Sequence, residues 1–122
     1  MDTVFTFSQA KERVRKFRDD RDWKQFHTPK DLAEATSIEA NELLALFLWK
    51  TSEQVAQDIA RNPKYLHRIQ EEMADVLMCI LHMANALDID LSQALCEKVT
   101  RAEEKYPIEK SKGNNKKYTE LA

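Results

Sequence analysis

A single glycine and three prolines punctuate 122 residues. An all-β protein needs many turns, and turns draw on those two residues, so the class is excluded. One glycine also cannot build the glycine-rich loops that cradle phosphates in P-loop and dinucleotide-binding proteins. The two cysteines, Cys79 and Cys96, form no CxxC pair and lie in helical pattern. They are expected in the core, without a disulfide framework. Charge of one sign is not in excess: a net −2 gives nucleic acid no general attraction. Long apolar runs are lacking too. The most apolar stretch, residues 73–87, contains Asp75, His82 and Asn85 and is too short and polar to span a bilayer. Residues 1–7 carry Asp2 and show no signal-peptide pattern, so the expected location is cytoplasmic.

What is present is helix-forming. The chain is 43% hydrophobic and 33% charged, a balance that can fill a core and keep a solvated surface. Ala, Leu, Glu, Lys and Gln are abundant. Capping residues mark the helix starts. Thr6 with Gln9 opens a helix over about 7–20. Thr28, Pro29 and Asp31 open a second over 29–50. Thr51 and Ser52 interrupt it and cap a short helix over 53–61. Asn62-Pro63 starts a long one over 63–87, and Asp90 with Gln93 opens another over 91–105, ended by Pro107. The expected fold is all-α, a four-helix bundle with short connections. Residues 1–107 form the helical domain. Residues 108–122, with Gly113-Asn114-Asn115 and four lysines, form an arm.

Carboxylates then stand where a core should be. Leu32, Ala35, Glu39, Glu42, Leu46 and Trp49 follow one another at helical steps of three and four, so they share a stripe that is otherwise apolar. Glu72, Asp75, Cys79, His82 and Ala86 repeat the arrangement on the long helix. Burying an ionised carboxylate without a partner costs several kcal/mol. Four together repel one another as well. Protonation or a bound cation resolves the conflict. Two facing pairs spaced i, i+3 make an oxygen-only cage, which selects Mg²⁺, Mn²⁺ or Ca²⁺ over zinc. One such pair alone would read as ordinary solvated helix surface. A di-iron bundle requires Glu-x-x-His, which is absent, and so is HExxH.

The pairs Glu39/Glu42 and Glu72/Asp75 occur with RDWKQFH at 21–27, LFLWK at 46–50, KYP at 105–107 and KYTEL at 117–121. This ordered set resembles the signature of MazG-like nucleotide pyrophosphohydrolases, the dCTP pyrophosphatase branch in particular, over about residues 17–121. The resemblance implies an all-α NTP pyrophosphatase fold assembled as a homodimer or homotetramer. It implies Mg²⁺-dependent hydrolysis of a (deoxy)nucleoside triphosphate, such as dCTP, to the monophosphate and pyrophosphate, as nucleotide-pool cleansing. Glu39, Glu42, Glu72 and Asp75 would be metal ligands, and Trp23 and Trp49 would line the base pocket. Three residues depart from the branch near the nucleoside: Val14 replaces a histidine, Cys79 a tyrosine and Ala102 an asparagine.

One of Glu39 and Glu42 is the expected general base. Lysine clusters are usually solvating surface; among them Lys98 matches a family lysine and is the expected phosphate contact. The arm is expected to fold over the site or onto a neighbouring subunit. His82 reads as a buried, hydrogen-bonded core residue and His27 as a helper of the cap it precedes. No nucleic-acid or membrane partner is expected. The competing function is a non-catalytic helical oligomerisation or nucleotide-binding module on the same scaffold.

Overall fold

The computed structural model describes all residues, 1–122, and contains helices and turns but no strand. Local hydrogen bonding shows why each helix begins where it does. At α1 (Phe7–Asp20) Gln9 N–H donates to Thr6 Oγ1 and Thr6 N–H donates to Gln9 Oε1, a reciprocal capping box. Thr28 Oγ1 accepts from Asp31 N–H to open α2 (Pro29–Ala45), with Pro29 at the first position, where its missing N–H is harmless. Thr51 and Gln54 form a second capping box at α3 (Ser52–Arg61). Asn62 Oδ1 accepts from Lys64 and Tyr65 at the start of α4 (Pro63–Leu87). Asp90 does the same for Gln93 at α5 (Leu91–Lys105). A one-turn α6 (Ile108–Ser111) and two 3₁₀ turns, Lys24–Phe26 and Tyr118–Glu120, complete the chain.

One boundary differs from expectation. The second helix does not reach residue 50 but ends at Ala45. The N–H groups of Leu46, Phe47 and Leu48 donate three residues back, to Leu43, Leu44 and Ala45, so the last turn tightens. The Leu46 carbonyl accepts the Tyr65 hydroxyl of α4 at 2.8 Å. Trp49 then adopts a left-handed φ of 62°, which reverses the chain before α3. The stripe from Leu32 to Leu46 is real, but its last step to Trp49 is not helical. Trp49 is 91% exposed instead of packed.

The chain divides into two compact units, Met1–Asp88 and Ile89–Ala122. In the first, α4 is the central helix, with α1, α2 and α3 packed on it. Leu46, Tyr65 and Ile69 form its core, with Leu43, Phe47 and Val55 around them. Tyr65 is the pivot of that core. Its ring packs edge-on to Phe47, its hydroxyl holds Leu46, and Lys50 Nζ lies 4.3 Å over its face while pairing with Asp58. Tyr65→Phe leaves the buried Leu46 carbonyl unpaired. A loss of about 1–3 kcal/mol in urea unfolding is expected, and an unchanged midpoint would show the bond to be dispensable. In the second unit, Gly113 takes φ 81° after α6, and Tyr118 returns edge-on to Tyr106 with Lys105 Nζ above its ring. Both cysteines are free thiols. Cys79 is half-buried, but Cys96 is exposed on α5, not in the core as expected.

Candidate metal centre

α2 and α4 make the largest helix pairing, and they run antiparallel. His27, at the start of α2, meets His82 near the end of α4, while carboxylates meet at the middle of both. Glu39 of α2 and Glu72 and Asp75 of α4 each bring an oxygen to within 4.8 Å of the other two. Glu72 and Asp75 are one helical turn apart, so one face of α4 presents both. Glu39 and Glu72 are half-buried and Asp75 is exposed. Glu42 is exposed and stands outside the trio, although its charge acts on both Glu39 and Glu72.

The electrostatics of the cluster are unfavourable as they stand. Burial holds the Glu39 carboxyl above its ordinary range, and the negative charges of Asp75, Glu42 and Glu72 add to the effect. Glu72 is raised by burial first, then by Glu42 and Asp75, with Arg68 opposing. Glu72 Oε2 is buried and has no hydrogen-bond partner. Acidic groups often gather on helix surfaces without a ligand, but a buried, unpaired carboxylate oxygen is not a surface feature. The donor set is all oxygen, which suits a hard divalent cation, and a cation would satisfy Oε2 and cancel the repulsion. Cys79, one turn after Asp75, is a thiol raised by burial and by Glu39 and Asp75, so it stays protonated beside the cluster.

The other expected site residues differ in their exposure. Trp23 follows α1 in a loop, 43% exposed, with its ring edge-on to Phe17 at 5.7 Å. Trp49 is on the turn after α2 with its indole in solvent. Both rings are free to stack on a planar ligand. Lys98 is exposed on α5, and its assignment to substrate phosphates rests on the resemblance. Val14 lies half-buried on α1.

His82 is buried, as expected of a seam histidine, but its Nδ1 has no hydrogen-bond partner. His27 does not cap α2, because Thr28 does; its ring packs edge-on to His82, with centroids 4.4 Å apart. Arg18 was not anticipated at all. It is 5% exposed and lowers the proton affinity of both histidines. A signal existed, since Arg18 follows Val14 by four residues and so shares its inward face. A charged residue in a charged stretch hides that signal.

Residues 35–121 match the family described as MazG-like. The chain is 38% identical over 105 residues to dCTP pyrophosphatase 1 of Mus musculus, and 35% identical over 105 residues to that of Homo sapiens. Each alignment covers 86% of this chain and 61% of the relative, so the chain spans about three fifths of the length of these curated relatives. A solved pyrophosphatase from Archaeoglobus fulgidus DSM 4304 superposes with a TM-score of 0.72 at 37% identity, covering 79% of this chain and 87% of that one.

Proposed function

Because the chain belongs to the MazG-like family, we propose that it is a divalent-metal-dependent pyrophosphohydrolase of (deoxy)nucleoside triphosphates, acting on dCTP or a related pyrimidine deoxynucleotide. The observation that carries this reading is the trio Glu39, Glu72 and Asp75 around a buried, unpaired carboxylate oxygen. A triphosphate is highly anionic and has no direct affinity for three carboxylates. The two can share a site only with cations between them. Mg²⁺, or Mn²⁺, when bound supplies that neutralisation and makes a coordinated water more acidic.

The chain's own residues then divide the work. Glu39, Glu72 and Asp75 hold the cation. Glu42, outside the trio and exposed, is left with a free oxygen and is the candidate general base. It takes a proton from the water that attacks the α-phosphorus. The bond to the oxygen bridging the α- and β-phosphates breaks, and pyrophosphate leaves. Trp23 and Trp49 stack on the base, and Cys79 faces the same region as a neutral group.

Assembly as a homodimer or homotetramer fits the surface. Leu44, Leu48, Trp49, Met73 and Leu77 are all exposed, and no large side chain is fully buried. Apolar exposure on this scale is usual for a subunit and not for a small free-standing domain. No helix is long and apolar enough to cross a membrane, and the proposed setting is the cytoplasmic nucleotide pool.

A panel of natural and modified nucleoside triphosphates, assayed for pyrophosphate release, tests the proposal. Release with Mg²⁺ that stops in chelator is the expected result, with pyrimidine deoxynucleotides foremost. No release from any nucleotide would overturn it. Trp23→Ala is expected to raise the KM for the best substrate about tenfold, given that one base–aromatic stack contributes about 1–3 kcal/mol. A KM unchanged for every nucleotide would remove Trp23 from the pocket.

A further inference from the structure

The start of α2 and the end of α4 also border a cleft of about 450 Å³ with a different character. Its walls carry three cations, Arg15, Arg18 and Lys24, with His27 and Asn85, and a single acid, Asp19. The two arginines are held in place. Arg18 is buried, and Asp19 Oδ1 accepts from its Nε at 2.8 Å and pairs with its Nη2 at 2.7 Å. Arg15 Nη2 donates to Asn85 Oδ1 at 3.1 Å, and Asn85 Nδ2 in turn donates to the Lys11 carbonyl at 2.9 Å. His27 Nδ1 is buried without a partner. Asp19 pairs with Arg18 and Glu12 with Arg15, so Lys24 and the buried Nδ1 of His27 are the groups left to meet a ligand.

We propose that this cleft binds a phosphate-type oxyanion, at a site separate from the carboxylate centre. The separation follows from helix geometry. Pro29 and Glu39 lie about 15 Å apart along α2, and Asp75 and Asn85 about 15 Å apart along α4. The carboxylate centre holds anions only through cations, whereas here the protein supplies the positive charge itself. Guanidinium forks match the paired oxygens of phosphate, and a lysine adds a mobile point charge. The neutral imidazole of His27 can donate from Nδ1 to the same group. The volume exceeds one phosphate and accommodates pyrophosphate or a small phosphorylated molecule. The cleft can hold an oxyanion whether or not the chain hydrolyses nucleotides.

Metal-free protein in chelator isolates this site, because metal-mediated phosphate binding is then switched off. Inorganic phosphate, pyrophosphate and dCMP are the probes, read by titration calorimetry and thermal melting. One site per chain is expected, with a rise in Tm of about 5 °C at saturating pyrophosphate. Lys24→Ala and Arg15→Gln are each expected to weaken binding about tenfold. Neither is a core residue, so folding is preserved where Arg18 variants risk it. Glu72→Gln is expected to bind as the unaltered protein does. Preference for dCMP assigns the phosphate to a nucleotide, and preference for pyrophosphate assigns it to the free ion; both support the site. No response to any probe, undiminished binding in the Lys24→Ala/Arg15→Gln pair, or loss of binding in Glu72→Gln would overturn it.

Discussion

Glu72→Gln is expected to reduce pyrophosphate release by about 10³-fold or more while making the metal-free protein more stable. The two effects have one origin. The substitution keeps the shape of the side chain and removes its charge. Without that charge the trio would lose a ligand for the cation on which the proposed hydrolysis would depend. In chelator, however, the same charge is a burden. Burial, with Glu42 and Asp75 nearby, raises the Glu72 pKa in the folded state above its ordinary 4.5. The folded chain therefore binds this proton more tightly than the unfolded chain does, and stability rises as pH falls toward 4.5. Above the folded pKa the penalty is complete, so the Gln variant should melt higher than the unaltered protein at pH 7–8. The gap should close on acidification. Mg²⁺ should reverse the order by raising the melting temperature of the unaltered protein alone. Melting curves with chelator and with Mg²⁺ at three pH values check this. A variant less stable in chelator at pH 8 would mean that Glu72 is held by interactions other than a cation.

His82 works in the opposite direction. It is 7% exposed, and burial, with His27 and Arg18 beside it, lowers its pKa from 6.5 to about 4. The unfolded chain then takes up a proton that the folded chain refuses. Stability is fully present above pH 6.5 and is lost as pH falls toward 4, by about 3 kcal/mol across the window at ~1.4 kcal/mol per unit. His82→Leu removes the group that must charge, along with its unpaired Nδ1. Urea unfolding in chelator at pH 7, 5.5 and 4.5 should show a flatter profile for the variant. His27, lowered by burial and by Arg18, keeps a smaller dependence of the same sign. Parallel profiles for the two proteins would show that His82 is charged, or solvated, in the folded state.

The helices were legible because their starts are written in side chains that bond their own backbone. Thr6, Thr28, Thr51, Asn62 and Asp90 each accept from an amide two or three residues on. Local chemistry of that kind survives without tertiary context. The end of α2 was less legible: the Leu46 carbonyl there accepts the hydroxyl of Tyr65, a partner nineteen residues on. The acidic centre was legible as a conflict between burial and charge at Glu39, Glu72 and Asp75. Spacing alone could not separate Glu42 from them, since a seam position does not determine how far each side chain reaches. Arg18 was missed for a related reason. Helical spacing put it on the inner face of α1, but a buried cation becomes credible only once Asp19, His27 and His82 are seen around it.

The turn that ends α2 also gives the protein an optical handle. It lifts the Trp49 indole out of the packing and into water, while Trp23 keeps its edge on Phe17. One indole is thus fully hydrated and the other partly shielded. Fluorescence from the first will lie at the red end of tryptophan emission and will move when that ring is covered, whether by a base or by another subunit. The chain thereby carries an intrinsic reporter at the place where both events are proposed to occur, and no label is needed to follow either.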